Sequence, residues 1–319
     1  MNLNEAEELF GRILDGLVPD EEIAALLVEI AERGETAQEI AGAVRAMRAR
    51  MKHVSAPEGA IDVCGTGGDG QHSVNVSTAV ALVVAACDVP VAKHGNRAAS
   101  SLAGGADTLE ALGLNLARAS ELAEQTLADL GIAFLFAQAH HPALARVAPI
   151  RKALGRRTIF NLLGPLANPA GVSRQLIGVA RPELIALYRD AMQLLATEAA
   201  MIVSGAEGLD ELSVAGPSYF ATIGLPLQGS EISPDDAGLA PFPLEELRGG
   251  DAAFNAEALR RMLMGEQGAY RNAVLLNSAA ALLVAGQVED WLEGVEEAAE
   301  ALDKGLAKAL LDCWIETVK

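Results

Sequence analysis

The stretch from Ile61 to Ser101, IDVCGTGGDGQHSVNVSTAVALVVAACDVPVAKHGNRAASS, constrains this chain more than any other. An apolar run (Ile61, Val63, Cys64) leads into Gly65, Gly67, Gly68 and Gly70, and the hydroxyls and amide of Ser73, Asn75, Ser77 and Thr78 follow at the start of a second apolar segment. That order reads as strand, loop of phosphate size, and helix start. A further apolar run, Val89 to Ala92, ends on Lys93-His94-Gly95-Asn96-Arg97, so a second polar loop leaves the same edge of the sheet. Two such loops side by side describe a site for a phosphorylated ligand.

The charge balance narrows the ligand. Against 24 basic residues stand 43 acidic ones, for a formal net charge of −19, which argues against nucleic acid or an anionic membrane as the main partner. To bind a phosphorylated small molecule, so acidic a protein needs glycine amides, a few cations and metal ions to reverse the field locally, and a metal is expected. Cys64, Cys87 and Cys313 sit in apolar contexts without metal-ligand spacing and read as reduced core residues of a cytosolic protein. The N-terminal MNLNEAEELFGRIL has no signal-peptide pattern, and the longest apolar stretch, Val76 to Cys87, is too short to span a bilayer. A cytoplasmic protein without a membrane partner is expected.

Three helical periodicities occupy the first 55 or so residues: Leu9, Ile13 and Leu17; then Ile23, Leu26, Leu27 and Ile30; then Ile40, Val44 and Met47. Asp20 and Thr36 are the expected N-caps. Ser55-Ala56-Pro57-Glu58-Gly59 breaks the pattern, which predicts a small helical domain over 1–60 and an α/β domain over 61–319. In the larger part, strand and helix patterns alternate to Phe136, implying parallel strands with crossover helices. A helical stretch from Pro142 to Leu154 and the run Arg156 to Pro165 gather cations (Arg146, Arg151, Lys152, Arg156, Arg157) that stand out in an acidic chain. Strands are expected at Gln175–Val179 and Ala200–Val203 around a helix, then an excursion over 214–250 with short strands near Tyr219–Ile223 and Leu227, and helices from Arg271 onward.

Gly65, Gly67 and Gly70 satisfy G-x-G-x-x-G after a strand, but a dinucleotide site wants a carboxylate where Lys93 and His94 stand, and Asp69 is awkward beside a bare pyrophosphate. The alternative of a plain turn does not account for four glycines in six residues, which expose more N–H groups than a turn requires. Asn75-Val76-Ser77-Thr78 read either as capping residues or, next to the glycine loop and the positive end of a helix, as phosphate or metal ligands. Lys93, closing an apolar run, is not ordinary surface charge. Asp210-Glu211 lie in a loop after a buried strand, where Mg²⁺ takes one or two carboxylates together with substrate phosphate oxygens. His140 and His141 read as helix-start or packing residues.

With these pieces together, the chain resembles the anthranilate phosphoribosyltransferases of tryptophan biosynthesis along nearly its whole length. The resemblance is carried by Gly65 to Asp69, Asn75 to Thr78, Lys93 to Arg97, Arg157-Thr158-Ile159-Phe160-Asn161-Leu162-Leu163-Gly164-Pro165-Leu166 and Gly208-Leu209-Asp210-Glu211, in that order. It implies a small all-helical domain joined to a larger α/β domain with a mostly parallel sheet, the 142–165 segment packing with the small domain or at the hinge, and a homodimer. It implies that phosphoribosyl pyrophosphate lies against Gly65, Gly68, Asp69, Ser73, Asn75, Val76, Ser77, Thr78, Lys93, His94, Gly95, Asn96, Arg97, Ala98, Ala99, Ser100, Ser101 and Gly105. Anthranilate is implied at Gly65, His94, Asn96, Arg151 and Pro165. Two Mg²⁺ ions are implied at Ser77, Asp210 and Glu211, with Lys93, Asp210 and Glu211 as the catalytic set. Gly105 departs from the pattern, since members of the family often carry serine or alanine there. The rival readings are a pyrimidine-nucleoside phosphorylase, which needs one phosphate and no metal pair, and a non-catalytic nucleic-acid binder, which needs a basic face.

Overall fold

The computed structural model describes residues 1–98 and 102–319. Its first helices begin where side chains satisfy free backbone amides. At α1 (Leu3–Leu14) and α3 (Ala37–Arg48), Asn2 and Thr36 accept from the amides of Glu5 and Glu39, whose carboxylates bond back to the caps. Between them α2 (Asp20–Arg33) starts differently from the expectation: Pro19 occupies the cap position without a side-chain bond, and Asp20 is already helical. Leu17 also departs from the periodic reading. It lies beyond Gly16, which adopts φ +74, and is 65% exposed, so Phe10, Ile13 and Leu14 form the buried face of α1.

The remaining elements alternate as the patterning requires. They are β1 (Ile61–Gly65), α4 (Val76–Ala86), β2 (Val91–Gly95), α5 (Gly105–Leu112), α6 (Leu116–Glu121), α7 (Ala123–Leu130), β3 (Ile132–Phe136) and α8 (Ala137–His140). After α9 (Ala148–Leu154) and α10 (Phe160–Leu163) come β4 (Arg174–Gly178), α11 (Leu184–Leu194), β5 (Ala199–Gly205), β6 (Ser218–Ile223) and β7 (Glu231–Ile232). Four helices end the chain: α12 (Ala252–Leu263), α13 (Ala269–Ala285), α14 (Trp291–Asp303) and α15 (Leu306–Thr317).

Among the described residues seven strands form one sheet in the order β3-β2-β1-β4-β5-β6-β7, parallel from β3 to β5 and antiparallel at β6 and β7. The chain winds outward from β1 through β2 to β3, then returns to lay β4 on the other side of β1. The carboxyl ends of β1 and β4 therefore flank a topological switch point, where crossover loops diverge and leave a crevice.

Both faces of the sheet are covered. On one, α4 and α13 pack together and bury Val80, Val83, Leu276 and Ala280 with Ile61, Val63 and Val203. On the other, Phe10, Ile13 and Ile40 of the N-terminal helices share a core with Val147, Ile150, Phe160, Tyr188, Met192 and Ile202. Phe10 meets Phe160 edge-on with ring centroids 5.9 Å apart, and the Tyr188 hydroxyl donates to the Leu162 carbonyl at 2.5 Å. This is a small helical N-terminal part on a larger α/β part.

Several local expectations are corrected. The stretch Pro142–Leu154, expected as one helix, is a short 3-10 turn followed by α9. No strand forms at Leu227; β6 pairs instead with Glu231–Ile232. The sequence reading passed over α12, although Asp251 caps it by accepting from the Phe254 amide. Cys64 and Cys87 are buried, whereas Cys313 is exposed on α15. Among the described residues no helix is long and apolar enough to cross a membrane.

Candidate active site

At the switch point Gly65 and Gly178 pair across β1 and β4. Neither position has room for a side chain: a Cβ on Gly65 would lie 2.4 Å from Asp210 Oδ2, and one on Gly178 would lie 1.6 Å from the Asp210 carbonyl oxygen. The two glycines let the loop after β5 cross over the strand ends and set its acidic pair above them. There Asp210 Oδ2 accepts from the Gly67 amide at 2.6 Å, and Glu211 Oε1 accepts from the Ser77 amide at 3.1 Å, at the positive end of α4. Lys93, expected at the end of a buried strand where a polar loop begins, lies inside β2 and is 5% exposed; Nζ donates to the Val63 carbonyl at 2.7 Å and to Ser77 Oγ at 3.1 Å. Asp69 Oδ1 accepts from the Gln71 amide at 3.1 Å, but its Oδ2 is buried without a partner.

Burial raises the Asp210 and Glu211 pKa values, and neighbouring carboxylates raise them further: Asp69 acts on Asp210, and Asp210 on Glu211. Carboxylates crowded in this way call for a cation beyond Lys93. Among the described residues no three histidine, cysteine or carboxylate side chains converge as a ready-made metal site. Two carboxylates and the Ser77 hydroxyl, beside the bare oxygen of Asp69, are hard donors that leave other positions to substrate oxygens and water. That donor set fits Mg²⁺.

Further along the crevice α5 begins at Gly105. A Cβ on Gly104 would lie 2.5 Å from the Ala98 nitrogen, and one on Gly105 would lie 2.9 Å from Thr78 Oγ1, a buried hydroxyl without a partner among the described residues. Asp107 accepts from the amides of Ala98 and Gly104 at 3.0 and 2.9 Å. Arg97 lines the cavity, but its guanidinium is paired with Asp107 and Glu110 at 2.8 and 2.5 Å and lies over the Phe136 ring. Gly95 fits against Phe134, where a Cβ would come within 2.6 Å of the ring. Gly68, Ser73, Asn75, Val76 and Asn96 line the same space, while Ala99, Ser100 and Ser101 lie outside the described residues.

The other end is built from α9, α10 and the turn after them. Arg151 is half-buried, lies 5.6 Å over the Phe160 ring and donates to Asn161 Oδ1 at 3.5 Å; among the described residues it has no ion pair, and burial lowers its pKa. Pro165 is held by Gln175, whose Nε2 donates to its carbonyl at 2.8 Å. His94 lies within β2: its amide donates to buried Asp62 at 3.0 Å, and its Nδ1 donates to the Gly164 carbonyl at 3.0 Å. The His141 ring is 5.2 Å away, and both rings keep a buried Nε2 without a partner. Burial, reinforced by His141 at His94 and by His140 at His141, holds His94 down to about 3 and His141 to about 4, so both are neutral bases. One cavity of about 650 Å³ joins this end to the glycine loop and the acidic pair.

A family model described as the glycosyl transferase family, a/b domain, matches residues 57–308, and one described as the glycosyl transferase family, helical bundle domain, matches residues 2–51. A relative from Novosphingobium aromaticivorans, called anthranilate phosphoribosyltransferase, is 64% identical over 99% of this chain and 96% of its own. One of the same name from Sphingopyxis alaskensis is 63% identical over 98% of this chain and 94% of its own. This chain belongs to the anthranilate phosphoribosyltransferase family. A member from Thermus thermophilus superposes with a TM-score of 0.93 at 42% identity, covering 100% of this chain and 96% of the other. A Saccharomyces cerevisiae anthranilate phosphoribosyltransferase in complex with PRPP and Mg superposes with a TM-score of 0.88 at 28% identity, covering 99% and 92%.

For this anthranilate phosphoribosyltransferase family member, sequence reasoning missed three groups at the site. Gly178 carried no marker beyond ending an apolar strand. His141 was read as packing, yet it lines the cavity beside His94. Gln175, buried on β4, gave no sign of the turn it holds. The neutral histidines also govern acid stability. The unfolded chain takes up a proton at His141 near the ordinary value of 6.5, whereas the folded chain resists until about 4. Stability is therefore lost as pH falls through that window. His141→Gln should make the fall in unfolding free energy shallower, by up to about 2–3 kcal/mol across the window. Urea titrations at a series of pH values measure it; identical slopes in parent and variant would contradict the neutral assignment.

Proposed function

We propose that this chain transfers the phosphoribosyl group of 5-phosphoribosyl 1-pyrophosphate to the amino nitrogen of anthranilate, giving N-(5-phosphoribosyl)anthranilate and pyrophosphate, in L-tryptophan biosynthesis. The observation that carries the reading is the cavity with a half-buried Arg151, which has no ion pair among the described residues, at one end and glycine amides with the Asp210–Glu211 pair at the other. An aromatic carboxylate suits the first end, because the guanidinium offers a planar fork and Pro165, His94 and Phe160 offer flat or apolar surface. A phosphorylated sugar suits the second.

In the reaction the C1–O bond to pyrophosphate breaks, the N–C1 bond forms, and the nitrogen passes a proton to the departing pyrophosphate or to water. The aryl amine attacks through its own lone pair, so it need not be deprotonated first. Departure of pyrophosphate is the harder task. In this reading Gly65, Gly68 and Asp69 meet the pyrophosphate end, which the amides approach closely because no side chains intervene. Ser73, Asn75 to Thr78 and Lys93 to Ser101 complete the donor contacts, and Gly105 with the Thr78 hydroxyl faces the ribosyl phosphate. Ser77, Asp210 and Glu211 would hold two Mg²⁺ ions per subunit. Bound there, Mg²⁺ neutralises charge that develops on the leaving group. Lys93, tied to Ser77 Oγ, fixes the hydroxyl and adds a positive charge beneath the acidic pair. Arg151 and Asn96 orient anthranilate next to Gly65, His94 and Pro165.

The reading includes a division into a helical domain over 1–60 and a phosphoribosyl-donor domain over 61–319, with the 142–165 segment packed on the former. Closure of the two would exclude water that hydrolyses the sugar cation. It also includes a homodimer and a cytoplasmic location.

Anthranilate fluorescence should disappear on mixing the protein with phosphoribosyl pyrophosphate and Mg²⁺, and persist with thymidine plus phosphate as the control pair. Unchanged fluorescence would overturn the proposal. In the same assay Arg151→Ala should raise the KM for anthranilate about ten- to a hundredfold while changing that for the donor little. Equal effects on the two constants would remove Arg151 from the acceptor role. The double variant Asp210→Asn, Glu211→Gln should keep its circular dichroism spectrum and lose Mg²⁺-dependent turnover; full activity would contradict the metal assignment.

A further inference from the structure

Asn75 stands at the N-cap of α4, yet its side chain makes no capping bond. Its Oδ1 accepts from the Thr108 hydroxyl and from Asn255 Nδ2, the latter at 3.0 Å, and its Nδ2 donates to the Ala103 carbonyl at 3.2 Å. Its main-chain carbonyl accepts from the Tyr270 hydroxyl at 3.1 Å. One residue thus ties α4 to α5, α12, α13 and the loop that enters α5.

Asn255 is the least expected of these partners, 180 positions from Asn75 and 2% exposed on α12. Its orientation is dictated by its other bond. The Gly250 amide, a donor only, meets Asn255 Oδ1 at 2.9 Å, so the amide nitrogen must face Asn75 and find an acceptor there. The segment supplying that amide runs along the exit of the glycine loop. The Val74 amide donates to the Leu247 carbonyl and the Gly249 amide to the His72 carbonyl, each at 2.8 Å, and Ser73 bridges to Arg248. Gly249 has no room for a Cβ, which would lie 2.8 Å from both Asn255 Oδ1 and the Ser73 carbonyl oxygen.

The two ends of this network are the two places where the donor's anionic groups are assigned. One is the exit of the glycine loop. The other is Ala103, just before Gly104 and Gly105 open α5 beside the bare Thr78 hydroxyl. The ribose fixes the separation of pyrophosphate and 5-phosphate covalently, so a site that takes both must hold its two loops at a matching distance. We propose that Asn255 is a positioning residue for the phosphoribosyl donor. By donating to Asn75 it sets the spacing between the glycine loop and the start of α5. The inference rests on the donor assignment made above.

The test compares Asn255→Leu with Thr108→Val, which nearly keeps its volume and removes the other donor to Asn75 Oδ1. In each, the KM for phosphoribosyl pyrophosphate should rise about fivefold or more, while kcat and the KM for anthranilate stay within about twofold of the parent, the span of a weak bond. A general loosening of the fold moves both KM values and kcat together, or lowers the melting temperature alone; either result overturns the proposal. Should Asn255→Leu fail to fold, the same split in Asn255→Asp, which keeps an acceptor for the Gly250 amide and removes the donor to Asn75, decides the matter. Absence of turnover in the unsubstituted protein overturns the donor assignment and this inference with it, whereas turnover without a split overturns this inference alone.

Discussion

The arrangement on which the site depends is a pair of carboxylates, Glu211 buried and Asp210 half-buried, laid across the ends of two strands. Burying Asp210 and Glu211 is costly, and each is compensated by a main-chain N–H, from Gly67 and Ser77. Those amides exist in the right place only because the glycine loop and the start of α4 curl toward the strand ends. The acidic loop comes near enough only because Gly65 and Gly178 have no side chains. Lys93 must then remain inside β2, where Val63 and Ser77 satisfy its ammonium. Remove any of these parts and a charge is left buried without a partner.

The same economy of charge explains how a chain with a net charge of −19 offers a site to an anionic donor. Long-range repulsion is screened in water, whereas the field inside a crevice is set by the nearest groups. There the nearest groups are glycine amides, the positive ends of α4 and α5, Lys93 and Arg151, set against Asp69, Asp210 and Glu211, whose charge a bound cation would offset. Arg97, which the motif suggested as another free cation, is held by Asp107 and Glu110. The other end of the cavity is different in kind, with two neutral histidines, a proline and an aromatic ring around a guanidinium that has no ion pair among the described residues. Such a surface favours a flat organic anion over a strongly hydrated one.

How much of this was legible depended on the range of the interactions. The strand–glycine–helix order of Ile61 to Ala86 was readable because apolar runs, glycine clusters and hydroxyl starts act over a few residues. Thr36 was readable as a cap for the same reason. Lys93 and His94 were legible as a strand end, but the strand runs on to Gly95, beyond the point where polar residues after an apolar run suggest that a loop begins. In the fold their polar atoms are satisfied by groups from β1, α4 and the turn after α10. Leu227 failed as a strand for a related reason: pairing requires a neighbour in register, and β6 found Tyr219 opposite Glu231 instead. Asp20 failed as a cap because Pro19 already sets the entry to α2.

The sequence by itself determined the class of fold, the glycine loop with its helix, and the carboxylate pair, since each rests on backbone preferences and short spacings that hold wherever the segment lies. The tertiary structure alone decided that Gly178 makes room for Asp210, that His141 faces His94, that Gln175 holds Pro165 and that Asn255 supports Asn75. Those residues are ordinary in their own neighbourhoods. They acquire a role only when segments far apart in the chain are packed against one another, because a buried polar atom must find its partner in space and not along the sequence.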